Sequence, residues 1–290
     1  MVYDGESKID NGGEIMRFTY AKGVLCLGIS ASLLVACQET EQEVDLDEIE
    51  EEENEDDQSP SEADEEAEAT EEEIEEETKP EYILNEGNWA LEPIDDAEEE
   101  AVLITIDDAP DEHGPEMAET LDDLGVTAIF FVNHHFIDDE EGEEELLEIK
   151  EHGHEIGNHT MTHANLAEIP EEDVEEEIVE LSDEIERITD ERPDFFRAPH
   201  GMNTDRSWEV VEEEDMLGMN WTYGFDWEEE YTDPDALADI MVETEYLQNG
   251  ANILMHDREW TNEALEDIII GLEDEGYDFI DPEQIELEQE

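Results

Sequence analysis

The sequence has very few basic residues. Of 290 residues, 10 are Lys or Arg and 97 are Asp or Glu, giving a formal net charge of -87. This charge excludes binding to nucleic acid or to an anionic membrane surface through electrostatic attraction. The acids are not confined to one tail: about 24 lie in residues 38–80, and about 69 lie in residues 81–290, against about 6 basic residues there. The composition is therefore typical of proteins from salt-accumulating halophiles, where counterions screen the repulsion.

The sequence also lacks a hydrophobic run long enough to cross a membrane comfortably. Its longest apolar stretch, residues 23–36, has about 14 residues, against the roughly 20 of a membrane-spanning helix. Arg17 and Lys22 precede it, as in a secretory signal peptide. The stretch ends in Leu-Val-Ala before Cys37, which resembles a bacterial lipoprotein signal with Cys37 as the lipidated residue.

These features predict four segments. Residues 1–15 lie upstream of a hypothesised true start at Met16, 16–36 are the signal peptide, 37–80 are an acidic disordered tether, and 81–290 are one folded domain. Cleavage would remove Cys26 and leave no pair for a disulfide. Two acyl chains on Cys37 would anchor the protein stably to the membrane from the extracytoplasmic side.

From about residue 100 the sequence alternates apolar runs with helical patterns. The predicted strands are residues 101–107, 126–132, 155–157, 194–197, 216–222, 251–256 and 277–280. The predicted helices are residues 115–124, 143–152, 170–191, 205–214, 234–247 and 262–275. This alternation is typical of βαβ units and a parallel sheet. Six or seven units in about 190 residues predict an α/β barrel rather than an open sheet.

Polar residues follow the predicted strand ends. They are Asp107, Asp108, His159, Arg197, Asp226 and His256. In a barrel the carboxyl ends of the strands share one face, where active sites are built. We therefore expect these side chains to lie in one site.

Two of these strand ends carry patterns that suit a metal ion. Asp107 and Asp108 are adjacent, so one carboxylate can face a metal and the other its bound water. His159 and His163 are four residues apart, a spacing that places both on one face of a helical turn. An isolated Asp-Asp-Ala-Pro is also a turn pattern, and an isolated HxxxH is more often incidental. Together they predict a three-ligand site with open positions for water.

Three further motifs complete a set: Phe-Arg-Ala-Pro-His-Gly at 196–201, Gly-Phe-Asp-Trp at 224–227, and Ile-Leu-Met-His-Asp at 253–257. In this order and spacing, the five motifs resemble the polysaccharide deacetylase family, carbohydrate esterase family 4 (CE4), over about residues 100–282. The resemblance implies a distorted (β/α) barrel of about seven parallel strands. It also implies a hydrolase that removes acetyl groups from N-acetylated polysaccharide and releases acetate.

The resemblance assigns the metal and the base. Asp108, His159 and His163 would hold a divalent metal, usually zinc, with cobalt, nickel or manganese as alternatives. Asp107 would be the general base, oriented by an ion pair with Arg197.

The resemblance also assigns the acid and the substrate contacts. His256 would be the general acid, tuned by Asp226. Trp227 and Leu254 would wall the acetyl pocket, and the backbone N–H of His200 would help to bind the oxyanion.

Several alternatives remain open from the sequence. A lipid anchor favours peptidoglycan or another wall polymer of N-acetylglucosamine as substrate, with chitin oligomers or acetylated xylan as the runners-up. A wall-binding lipoprotein of the same fold would not need an acid and a base. A non-haem iron oxygenase also uses two histidines and one carboxylate, but it would not need the Asp107–Arg197 and His256–Asp226 pairs. No protein partner is predicted.

We predict that the melting temperature rises steeply between low and molar NaCl. The Debye length falls from about 10 Å at 0.1 M to about 3 Å at 1 M, so salt screens the repulsion among the acids of the folded domain. Thermal unfolding followed by circular dichroism measures this response. A melting temperature independent of salt would contradict the halophilic interpretation.

Overall fold

Nine β-strands occur in residues 79–287, the part of the chain that the computed structural model describes. In chain order they are β1 (Tyr82–Asn85), β2 (Ala90–Pro93), β3 (Ala101–Ala109), β4 (Ala128–Val132), β5 (Glu155–Asn158), β6 (Phe195–Phe196), β7 (Leu217–Gly218), β8 (Asn252–His256) and β9 (Asp278–Phe279). Strands β1 and β2 form an antiparallel hairpin that the sequence did not predict. The other seven form one parallel sheet.

The sheet has the order β7-β6-β5-β4-β3-β8, with β9 pairing with the start of β3. It curls into a half-barrel, and a single parallel bridge between Tyr223 and Ile253 joins the segment after β7 to β8. The predicted parallel α/β barrel is therefore confirmed. Strands β6 and β7 are shorter than expected, since only two residues of each pair in the sheet.

Six α-helices flank the sheet in the described residues. They are α1 (Gly114–Asp123), α2 (Glu140–Glu151), α3 (Glu171–Thr189), α4 (Asp205–Glu213), α5 (Pro234–Glu243) and α6 (Glu259–Asp274). The apolar stripe of α3 is buried, as its helical spacing predicts. Helix α2 begins earlier than predicted because the Asp139 side chain caps it by accepting from two backbone N–H groups, a contact that stabilises a helix by about 1 kcal/mol.

Strand β3 explains how the sheet positions a site. All of its residues are buried except Asp108, as expected for a parallel strand covered on both faces. Ile104 and Ile106 face the larger apolar cluster, which includes residues of the helices. Leu103 belongs to the second cluster, on the opposite, concave face. Because strand side chains alternate, Thr105 and Asp107 share this concave face, with Asp107 at the carboxyl end.

The predicted start, the signal peptide, the lipidated Cys37 and the acidic tether as far as residue 78 lie outside the described residues. Within residues 79–287, no helix combines the length and the hydropathy that a membrane crossing requires.

Candidate active site

An ion pair lies at the centre of the concave face. Arg197, which directly follows β6, is fully buried and donates from Nη1 to Asp107 Oδ1 at 2.7 Å and to Thr105 Oγ1 at 2.9 Å. Its Nη2 donates to Asn252 Oδ1 on β8 at 3.1 Å, and the guanidinium lies 4.3 Å from the centre of the Phe131 ring. Removing one partner of such a buried pair typically costs about 3–5 kcal/mol. Arg197 therefore fixes one oxygen of Asp107 and leaves the other free.

Asp108, His159 and His163 converge beside this pair. One ligand atom from each lies within 4.8 Å of the others. His163 Nε2 is 3.3 Å from Asp108 Oδ1, and His159 Nε2 is 3.9 Å from the same oxygen. His159 Nδ1 is 2.7 Å from the carbonyl oxygen of Arg197, so a proton on Nδ1 is donated there and the Nε2 lone pair faces the cluster.

The chemistry of these three residues fits a divalent metal ion. Two imidazole nitrogens and one carboxylate oxygen form a common protein site for zinc with positions left open. Burial lowers the pKa of both His159 and His163 below the ordinary value, which favours the neutral form that binds a metal. Burial raises the pKa of Asp108, but the fields of three nearby histidines and Arg258 outweigh it, so the net shift is downward.

The expectation that His159 and His163 share a helical turn is wrong. Both lie in a loop after β5, in which Thr160 and His163 have positive φ angles of 69° and 56°. Asn158 accepts from the Thr160 N–H at 2.9 Å, and Asn133 donates from Nδ2 to the His159 carbonyl at 2.5 Å. The two imidazoles meet because these side chains hold a strained loop, and not because of helical periodicity.

His256 lies on the other side of Asp107. The two residues are register partners on the neighbouring parallel strands β3 and β8. His256 Nδ1 is 2.8 Å from Asp226 Oδ1, while Asp226 Oδ2 accepts from the His256 backbone N–H at 2.6 Å and from Thr261 Oγ1 at 3.0 Å. Burial lowers the pKa of His256, but the hydrogen bond and charge of the buried Asp226 outweigh it and raise this pKa above the ordinary value. His256 is thus suited to hold a proton.

The three residues predicted to contact the substrate lie near the candidate metal ligands or near His256. The His200 ring is perpendicular to His163, with centroids 4.9 Å apart. The Trp227 ring is perpendicular to His256 at 5.5 Å and is 47% exposed. Leu254 lies two residues before His256, on the same face of β8.

The structure thus brings together all ten predicted site residues of the domain, and it adds some that the sequence reasoning missed. Arg258 donates from Nη2 to Asp108 Oδ2 at 3.0 Å. The buried Asp257 accepts from the backbone N–H groups of Asp111 and His113 at 2.7 and 2.9 Å, which fixes the loop after β3. Arg258 could have been found, because the scarcity of basic residues that singles out Arg197 applies equally to it.

The sequence is similar to those of known polysaccharide deacetylases. The model of the polysaccharide deacetylase family matches residues 95–218. The peptidoglycan-N-acetylmuramic acid deacetylase of Bacillus subtilis is 28% identical over 200 residues, covering 66% of this chain and 73% of that protein. A peptidoglycan-N-acetylglucosamine deacetylase of Bacillus cereus is 27% identical over 186 residues, covering 62% and 66%. The match to the uncharacterized protein YlxY of Bacillus subtilis, at 30% identity, spans only 40% of that protein.

Solved structures share the fold. A CE4 family pseudoenzyme from Bacillus anthracis superposes with a TM-score of 0.57 at 27% identity, covering 62% of this chain and 63% of that one. The Bc1960 peptidoglycan N-acetylglucosamine deacetylase gives a TM-score of 0.57 at 26% identity, covering 63% and 86%. Residues 95–218 therefore match the polysaccharide deacetylase family, and the fold of the described residues is similar to that of solved CE4 structures.

Proposed function

We propose that this protein is a metal-dependent hydrolase that removes acetyl groups from N-acetylated polysaccharide and releases acetate. The proposal rests on the order in which the candidate metal site, Asp107 and His256 lie across the site. Asp107 is the register partner of His256 on one side and has His159 Nε2 3.6 Å from its Oδ2 on the other. A proton acceptor therefore lies between a candidate metal site and a proton donor, as amide hydrolysis requires.

Zinc is the metal that we propose for Asp108, His159 and His163, because two imidazoles and one carboxylate suit it. When bound there, a divalent ion supplies Lewis-acid polarisation of the acetyl carbonyl and makes an attacking water more acidic.

Asp107 acts as the general base. Its Oδ1 is held by Arg197, so Oδ2 is the oxygen that takes a proton from the attacking water. The water oxygen then bonds to the carbonyl carbon and gives a tetrahedral oxyanion. We assign the backbone N–H of His200 to stabilise that negative charge, as preorganised donors do in acyl transfer.

His256 acts as the general acid. Asp226 occupies its Nδ1, so Nε2 donates the proton to the departing nitrogen. The carbon–nitrogen bond breaks, and acetate and a free amine leave. Trp227 packs against His256, and Leu254 lies two residues before it on β8, so we assign these two side chains to the pocket for the acetyl methyl.

A protein that binds polysaccharide without hydrolysing it is the weaker interpretation. One similar structure is described as a CE4 family pseudoenzyme, so the fold alone does not imply catalysis. In this chain, however, both the base with its arginine and the acid with its aspartate are present and in contact. Binding a polysaccharide would need neither pair.

Peptidoglycan is the substrate that we propose. Two of the similar proteins are named for deacetylation of its sugars. The lipoprotein-like sequence before Cys37 supports the same substrate, because an extracytoplasmic enzyme anchored there would face the wall.

Asp107→Asn should lower kcat by about 10²–10⁴-fold and leave zinc binding intact, because the amide keeps the shape of the side chain but cannot accept a proton. His159→Ala should lose both activity and zinc. Acetate release and zinc content after gel filtration measure the two effects. His154→Ala is the matched control: His154 is also buried, but it bonds the backbone of Ala128 and Ala118 and should keep its zinc. Full activity in Asp107→Asn would refute the assignment of the base.

Asp226→Asn should move the alkaline limb of the kcat/KM profile to lower pH. Activity needs protonated His256, so it is present below the pKa of His256 and is lost as the pH rises through it. The charge of Asp226 raises that pKa, and the amide removes the charge. Rates measured from pH 5 to 10 test this, with Asp233→Asn, which makes the same substitution at the exposed N-cap of α5, as control. An alkaline limb unchanged in Asp226→Asn would show that His256 is not the acid.

A further inference from the structure

Basic residues are so scarce that their positions are informative. Seven occur in residues 79–287. Five of them pair with surface carboxylates: Lys79, Lys150, Arg187, Arg192 and Arg206. The other two, Arg197 and Arg258, pair with the two adjacent aspartates of the site.

Arg258 hydrogen-bonds to only one of the two carboxylate oxygens of Asp108. Its Nη2 donates to Oδ2 at 3.0 Å. The other oxygen, Oδ1, is the one that faces His163 Nε2 at 3.3 Å and His159 Nε2 at 3.9 Å. One oxygen is therefore held by the arginine, and the other points at the candidate metal site.

The same division occurs at Asp107. Its Oδ1 accepts from Arg197 at 2.7 Å, and its Oδ2 lies 3.6 Å from His159 Nε2. Each aspartate thus presents one oxygen to its own arginine and the other towards His159.

Arg258 is itself held in place. Its Nη1 donates to Asp111 Oδ2 at 3.2 Å and to the Asp257 carbonyl at 2.8 Å. It also precedes the first residue of α6 as the N-cap position. The guanidinium therefore joins two places to the end of β8: the carboxyl end of β3, where Asp108 has a φ of 60°, and Asp111 in the loop that follows.

We infer that Arg258 is a positioning residue, which holds Asp108 Oδ2 so that Asp108 offers only Oδ1 to a metal ion. The inference rests on the metal site of the proposed function. Groups that orient a metal ligand typically contribute about 10–100-fold to metal affinity. A purely electrostatic role predicts the opposite sign, because a guanidinium repels a divalent cation and its removal would tighten binding.

The test compares zinc affinity in the full chain, in two variants of Arg258 and in one control variant. Arg258→Ala removes both the charge and the donors, whereas Arg258→Lys keeps the charge but replaces the rigid fork, whose two nitrogens bond Asp108 and Asp111, with a single ammonium nitrogen. Arg206→Ala is the matched control, because Arg206 is also partly buried and bonds only to Glu175, Glu209 and Glu213. Affinity is measured in molar NaCl by competition with a chromophoric chelator. The visible spectrum of the cobalt form reports the coordination geometry.

We expect Arg258→Ala to bind zinc about 10–100-fold more weakly than the unaltered protein and to change the cobalt spectrum. Arg258→Lys should fall between the two, and Arg206→Ala should match the unaltered protein. Equal or tighter binding by Arg258→Ala would overturn the inference and leave the proposed function standing. Absence of zinc binding in the unaltered protein would overturn both. If Arg258→Ala does not fold, the test relies on Arg258→Lys. A zinc affinity of Arg258→Lys equal to that of the unaltered protein would then refute the positioning role.

Discussion

The buried ion pair between Arg197 and Asp107 is the constraint on which the site depends. Its guanidinium contacts Thr105 and Asp107 on β3 and Asn252 on β8, and its carbonyl oxygen is 2.7 Å from His159 Nδ1. One residue therefore sets the orientation of the proposed base, the tautomer of a proposed metal ligand and the spacing of the strand that carries the proposed acid. The cost of burying the charge is offset only because the pair is closely hydrogen-bonded.

The acidic composition of the chain bears on why arginines lie beside Asp107 and Asp108. On the halophilic interpretation, a domain rich in carboxylates would depend on mobile counterions, whereas the proposed site would need fixed positive charge beside two adjacent aspartates. Free cations cannot supply that charge with a defined geometry, but a guanidinium can, because its donors form a rigid fork. This is a physical reason for an arginine beside each of the two aspartates in a chain that has few basic residues.

The sequence predicts the features that depend on local pattern. Continuous apolar runs such as that of β3 and amphipathic stripes such as that of α3 have periodicities that identify them, so the parallel sheet and its helices were predicted. The residues at the strand ends were predicted because strand ends share a face. The loop of His159 and His163 was not, since its course depends on contacts from the distant Asn133. The scarcity of basic residues points to Arg258, but its contact with Asp108 was missed because 150 residues separate the two in sequence.

The central claim is that the base, the acid and the metal ligands form a deacetylase site. Acetate release from N-acetylglucosamine oligomers and from peptidoglycan tests it most directly, in molar salt, with added zinc and with a chelator. The account predicts acetate and an equal amount of new free amine, both abolished by the chelator and restored by zinc. A folded, zinc-loaded protein that releases no acetate from either substrate would contradict it, and release from acetylated xylan alone would indicate an O-acetyl esterase instead.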